Sequence, residues 1–110
     1  MEISETSTGG AKVLVLAGRL DTATAHEAEA RLTSLVTSGG NVVVDLGGVH
    51  YISSAGLRAL LKAAKQAKGA AVGFALAAPQ QLVREVLEIS GFDKILGIHA
   101  TAAEAAATLG

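Results

Sequence analysis

Apolar residues along the chain follow two rhythms in alternation. Short apolar or β-branched runs of strand length occur at Lys12–Ala17, Asn41–Leu46, Ala71–Leu76 and Ile95–Ile98. Between them, apolar residues return at helical spacing. From Thr24 to Ser38 the repeating set is Ala25, Ala28, Leu32, Leu35 and Val36, and Thr24 with Glu27 three residues on has the form of a capping box. From Ser54 to Lys68 the apolar face is Leu57, Leu60, Leu61 and Ala64; from Pro79 to Ser90 it is Leu82, Val83, Val86 and Leu87. Pro79 suits a first helical position, and Gly91 suits the residue past the end. Ala102 to Leu109 reads as an Ala-rich final helix.

Gly pairs at 9–10, 39–40 and 47–48 fall between these runs, where turns are expected. The first separates the polar stretch Ile3–Thr8 from Lys12–Ala17 and predicts a hairpin. The 41–46 run carries apolar side chains towards both faces, as a strand inside a parallel sheet does. The element order is then β-β-α-β-α-β-α-β-α. Strands alternating with helices after an opening hairpin predict an α/β fold, with one mixed β-sheet and about four α-helices packed on it. A single domain is expected over residues 1–110.

Composition narrows the function classes. Half of the residues are hydrophobic, but 22 of those 55 are Ala. That ratio predicts thin layers with small residues where elements meet, rather than a wide internal cavity. The net charge of −1 lacks the basic excess of a nucleic-acid binder. Without Cys there is no disulfide scaffold, Cys-ligated zinc or thiol catalysis. His26, His50 and His99 stand too far apart in sequence to suggest a ligand set, so neither a metal nor another cofactor is expected. No apolar run approaches the roughly 18 residues of a membrane span, and Met1-Glu2-Ile3-Ser4-Glu5 lacks the basic-then-apolar start of a secretory signal. A cytoplasmic domain without direct membrane insertion is the expectation.

The candidate chemistry concentrates in Val49-His50-Tyr51-Ile52-Ser53-Ser54-Ala55-Gly56-Leu57-Arg58, between the 41–46 strand and the helix from Ser54. Loops after the carboxyl ends of parallel strands are where ligands and partners are met. Ser53 or Ser54 can cap the free N–H groups of the helix start. The same N–H groups and the helix dipole favour a phosphate, so a nucleotide- or anion-binding module is one reading. Gly56 lacks a side chain and would let a phosphate or a partner backbone approach. His50 is the one nearby base for a nucleophilic Ser, and the pattern is not that of a nucleophile elbow, so no enzyme is expected.

A second candidate is Gly18-Arg19-Leu20-Asp21-Thr22, where Asp21 or Thr22 is either an N-cap alone or part of the surroundings of Ser54. Asp45 fits a carboxylate capping a turn. Arg58, Lys62 and Lys65 make a cationic stripe opposite the apolar face of their helix. Arg58 stands out, because a cation in the first helical turn opposes the dipole. It is placed to pair with a phosphate on Ser54 or with an acidic partner surface.

Taken in order, Gly18-Arg19-Leu20-Asp21, Val43-Val44-Asp45-Leu46, Tyr51-Ile52-Ser53-Ser54-Ala55-Gly56-Leu57 and Ser90-Gly91-Phe92 resemble the anti-sigma factor antagonists of the STAS family. The resemblance spans essentially the whole chain, and Ser-Ser-Ala-Gly-Leu is its most specific part. It implies a STAS domain that binds an anti-sigma factor, itself a serine kinase, and so frees a sigma factor for transcription. It also implies phosphorylation at Ser54, with Ser53 as the alternative, and resetting by a metal-dependent PP2C-type phosphatase. Asp21, Thr22, Ser53, Ala55, Gly56, Leu57, Arg58 and Lys62 would then form the partner surface. Family members often carry Asp before the modified Ser, whereas this chain has Ser53. The alternative within the family is an accessory STAS protein of a transporter or signalling assembly, working without phosphorylation.

Overall fold

Gly9 and Gly10, both at positive φ, turn the chain from β1 (Glu2–Thr8) into β2 (Ala11–Leu20). A residue without Cβ takes this left-handed backbone at little cost. In the computed structural model, which describes residues 1–109, the chain continues through α1 (Ala25–Thr37), β3 (Val42–Ile52), α2 (Ser54–Gly69), β4 (Phe74–Ala77) and α3 (Gln81–Ile89). A 3₁₀ turn (Phe92–Lys94), β5 (Gly97–His99) and α4 (Ala102–Leu109) complete it. The expected order of strands and helices holds throughout.

The five strands lie in sequence order, β1-β2-β3-β4-β5. β1 pairs antiparallel with β2, and the three later pairings are parallel. Right-handed crossovers between strands that advance in one direction place every crossover helix on the same side. Accordingly Leu32 and Val36 of α1, Leu60 and Ala63 of α2, and Val83 and Leu87 of α3 share one core with Leu14, Leu16, Val42, Val44, Leu46 and Leu76 of the sheet. The other face is covered by α4. There Ala105 and Ala106 meet Ala11, Val13, Val43, Ala75 and Ala77, which is where the Ala-rich composition does its packing.

Several local expectations are corrected. Gly47-Gly48 is no turn; it lies inside β3, which runs on past β4. β4 pairs with Val42 to Asp45 alone, whereas β2 stays beside β3 to the pair Leu20↔Ile52, with register shifts after Val15 and Gly18. The carboxylate of Asp45 accepts from the Gly47 N–H at 2.9 Å, and the Gln80 side-chain amide donates to the Gly47 carbonyl at 2.9 Å. These contacts replace the neighbour strand that β3 lacks there. The 71–76 run is strand only from Phe74. The last strand starts at Gly97, because the chain first winds into the 3₁₀ turn that buries Phe92.

The helix ends and faces also differ in detail. α3 begins at Gln81, and Pro79 stays outside it because Gln80 is extended (φ −64°, ψ 158°). Leu82 is 71% exposed, since this short helix buries only Val83 and Leu87 fully. α2 buries the small residues Gly56, Ala59, Ala63 and Ala67 with Leu60, which brings it close to its neighbours and leaves Leu57, Leu61 and Ala64 half-buried. The Thr24–Glu27 capping box does not form. Thr24 instead reaches back, donating from its hydroxyl to the Arg19 carbonyl at 2.7 Å and accepting from the Asp21 N–H at 2.9 Å.

Candidate functional site

The ends of β2 and β3 and the start of α2 converge on one corner of the sheet. Ser53 is extended, and its N–H donates to the Leu20 carbonyl at 2.9 Å. Its hydroxyl oxygen accepts from the Gly56 N–H at 3.4 Å, so the cap of α2 is Ser53. Ser54 is then the first helical residue; it is exposed, and its hydroxyl makes no hydrogen bond among the described residues. Next to it Ala55 and Leu57 are half-buried, and Arg58, one turn on, is exposed.

Gly56 corrects an expectation. It is buried, and a Cβ there would stand 2.6 Å from the Leu20 carbonyl oxygen and 2.8 Å from Leu20 Cγ. Its missing side chain serves the approach of α2 to β2, not that of a ligand or partner.

The turn between β2 and α1 supplies the opposite side of the corner. The Asp21 carbonyl accepts from the N–H groups of Thr24 and Ala25 at 3.1 and 2.8 Å, and its carboxylate accepts from the Ala23 N–H at 3.1 Å. Arg19 pairs with the Asp21 carboxylate at 3.3 Å. Partial burial pushes the Asp21 carboxyl up, but the hydrogen bonds from Arg19, Thr24 and the backbone outweigh it and hold the group below its ordinary value. Thr22 stays exposed.

The sequence reading missed the company of Arg19. Its guanidinium lies 4.1 Å from the centre of the Tyr51 ring, within the range of a cation–π contact. The two residues face each other across the β2–β3 register, Arg19↔Tyr51. That neighbour relation depends on the register shifts and has no signal in the sequence.

A shallow groove of about 240 Å³ between α1 and α2 joins Thr22 and His26 on one side to Ala55 and Arg58 on the other. Lys62 is tied to Glu29 at 3.5 Å. Arg58, by contrast, has no ion-pair partner among the described residues. No hydrogen bond joins His50 to either serine among the described residues, and no group of three or more acidic or His side chains is placed to hold a metal. No helix of the described chain is long and apolar enough to cross a membrane. Among the described residues, the corner thus brings together an exposed Ser54 hydroxyl without a hydrogen-bond partner and the unpaired guanidinium of Arg58.

Comparison with known proteins places this architecture. A model of the STAS domain family matches residues 2–105. A Bordetella bronchiseptica protein, BtrV, named as an anti-sigma factor antagonist, is 41% identical over 108 residues, covering 97% of this chain and 92% of its own. The crystal structure of a protein from Thermotoga maritima, described as an anti-sigma factor antagonist, superposes with a TM-score of 0.89 at 22% identity, over 97% of this chain and 93% of that one. The Bacillus cell fate determinant SpoIIAA, in its phosphorylated form, superposes with a TM-score of 0.75 at 20% identity, over 99% of this chain and all of the other. The two structural likenesses carry the fold.

Proposed function

The chain belongs to the STAS domain family, and from that premise we propose that it is an anti-sigma factor antagonist controlled by phosphorylation of Ser54. The unphosphorylated protein binds a cognate anti-sigma factor that is also a serine kinase, and the sigma factor held by that kinase is released. The kinase then transfers phosphate to Ser54 and lets go, and a PP2C-type phosphatase restores the free hydroxyl. The protein itself acts by binding, in the cytoplasm, and catalyses nothing. We assign its STAS domain to residues 1–110, of which the family model matches 2–105.

The observation that carries this reading is the division of labour between the two serines. With Ser53 occupied as the cap, the exposed Ser54 hydroxyl is free to enter a kinase site. Phosphate there sits at the positive end of the α2 dipole, so the fold accepts it. The domain has a net charge of −1, and the modification adds about −1.5 to −2 at one spot. Against an acidic or desolvated partner patch, that repels strongly enough to release the complex. Asp21, Thr22, Ala55, Leu57 and Arg58 beside the same corner would form the rest of the contact, with Lys62 extending it two turns along α2.

The test is capture from native-host lysate on wild-type and Ser54→Asp bait, joined to phosphosite mapping after incubation with ATP. The reading holds if wild type retains a small ATP-binding kinase, Ser54→Asp loses it, and phosphate maps to Ser54. Phosphate on Ser53, or equal capture on both baits, overturns it. Retention of a transporter assembly by both baits would identify an accessory STAS protein instead.

A further inference from the structure

Far from Ser54, the C-terminal half of α2 forms one wall of an apolar groove of about 450 Å³. Leu61 and Ala64 line it from α2, Phe74 from the start of β4, and Ile95 and Leu96 from the segment before β5. Ile95 is 59% exposed, while the other four are half-buried. The volume lies in the range of small-molecule sites, roughly 300–1,000 Å³. Two cations, Lys65 and Lys68, stand on its rim, and neither is in an ion pair among the described residues.

An apolar trough with two unpaired ammonium groups at its edge matches one ligand chemistry. We propose that this groove binds a medium-chain aliphatic carboxylate, its alkyl chain along Leu61, Phe74, Ile95 and Leu96 and its carboxylate between Lys65 and Lys68. A bare phosphate or sugar would leave the apolar walls in water. A neutral alkane would leave the ammonium groups without a counter-charge. The site is separate from the Ser54 corner, since Lys65 follows Ser54 by eleven residues, roughly 16 Å along the helix axis. The inference therefore stands or falls independently of the proposed partner switch.

Titration of the full chain with decanoate, followed by two-dimensional amide NMR and calorimetry, tests it. Saturable binding is expected, with shift changes at Ala64, Lys68, Phe74 and Ile95 and none at Thr22 or Ser54. Butyrate should fail to bind, having too little apolar chain, and decanol should bind at least about tenfold more weakly than decanoate, a difference of ~1.4 kcal/mol. Lys65→Glu/Lys68→Glu should weaken decanoate by a similar factor, and Ala64→Trp should fill the groove and abolish binding. The charge-reversed protein keeps the test valid if the Trp variant fails to fold. No decanoate binding, shift changes elsewhere, or equal affinity for decanol would overturn the proposal.

Discussion

The backbone N–H of Ser53 donates to the carbonyl of Leu20 at 2.9 Å, tying the entrance of α2 to the last residue of β2. The same carbonyl is the atom that a side chain at position 56 would strike. The Ser54 turn, which follows β3 directly, is thus held in place against β2, a strand far away in sequence.

Gly56→Ala should therefore destabilise the domain by overpacking, by ~1–3 kcal/mol. Thermal unfolding measures this, and amide shifts of Ser53, Ser54 and Leu57 should move with it. An unchanged midpoint would mean that α2 can shift away from Leu20 freely.

The two serines should separate cleanly on substitution. Ser53→Ala removes the cap of α2 and should cost about 0.5–2 kcal/mol in urea unfolding, nearer the lower value because its bond is long. Ser54→Ala should leave stability within about 0.5 kcal/mol, as exposed positions usually do. The reverse order of stabilities would assign the cap to Ser54.

Asp21 gives the fold an acid-sensitive element. Its carboxyl is held below the ordinary value by Arg19, Thr24 and the backbone, which outweigh partial burial. A depressed folded value means that its stabilisation is fully present above pH ~4 and is lost as the pH falls through the folded value. Urea midpoints for wild type and Asp21→Asn should converge on acidification. A gap that stays constant with pH would show that the carboxylate charge is not what stabilises the turn.

The Arg19–Tyr51 stack should contribute weakly, with a double-mutant coupling of about 0.5–1 kcal/mol for Arg19→Ala and Tyr51→Leu, as exposed cation–π pairs do. Arg19→Ala should also raise the Asp21 carboxyl towards its ordinary value, which carboxyl NMR titration reads directly.

On the opposite face, Ala105→Leu should destabilise by ~1–3 kcal/mol, because α4 meets the sheet through Ala against Ala and Val. Partner capture by surviving folded protein should be unaffected, since α4 lies on the face away from α2.

What was legible in the sequence was whatever depends on neighbours along the chain. The helical recurrence of Ala28, Leu32, Leu35 and Val36 and the strand run at Val42–Val44 needed no tertiary knowledge, and both sit where their periodicity put them. Asp45 fits a turn cap at a strand end; it lies inside β3 instead, where its carboxylate accepts from the Gly47 N–H. The misreadings share a different cause. Gly47-Gly48 looks like a turn, but the pairing of β3 with β2 carries the strand through it. Leu82 belongs to an apolar periodicity, yet how much of a face is covered depends on what lies beneath, and α3 rests on β3 over a narrow contact. Thr24 had Glu27 in reach and chose the Arg19 carbonyl, because the chain turning out of β2 brings that oxygen closer.

The candidate site divides in the same way. Ser53, Ser54, Asp21 and Arg58 were visible as residue types beside an expected helix start. The roles of the two serines, the burial of Gly56 and the placing of Arg19 over Tyr51 all follow from β2 lying against β3 in a shifted register.

Because the strands stand in space in the order of synthesis, each one emerging from the ribosome finds its neighbour already in position, and no strand must wait for a later one to be inserted between. Each parallel pairing must still close a crossover, as Lys12↔Val42 and Val42↔Phe74 do, and such non-local pairing folds more slowly than the opening hairpin. α4 follows every strand it covers. Until it docks, Val13, Val43, Ala75 and Ala77 face water as a bare apolar sheet. A nascent chain thus bares this apolar face in the interval between completing β5 and seating Ala105 and Ala106.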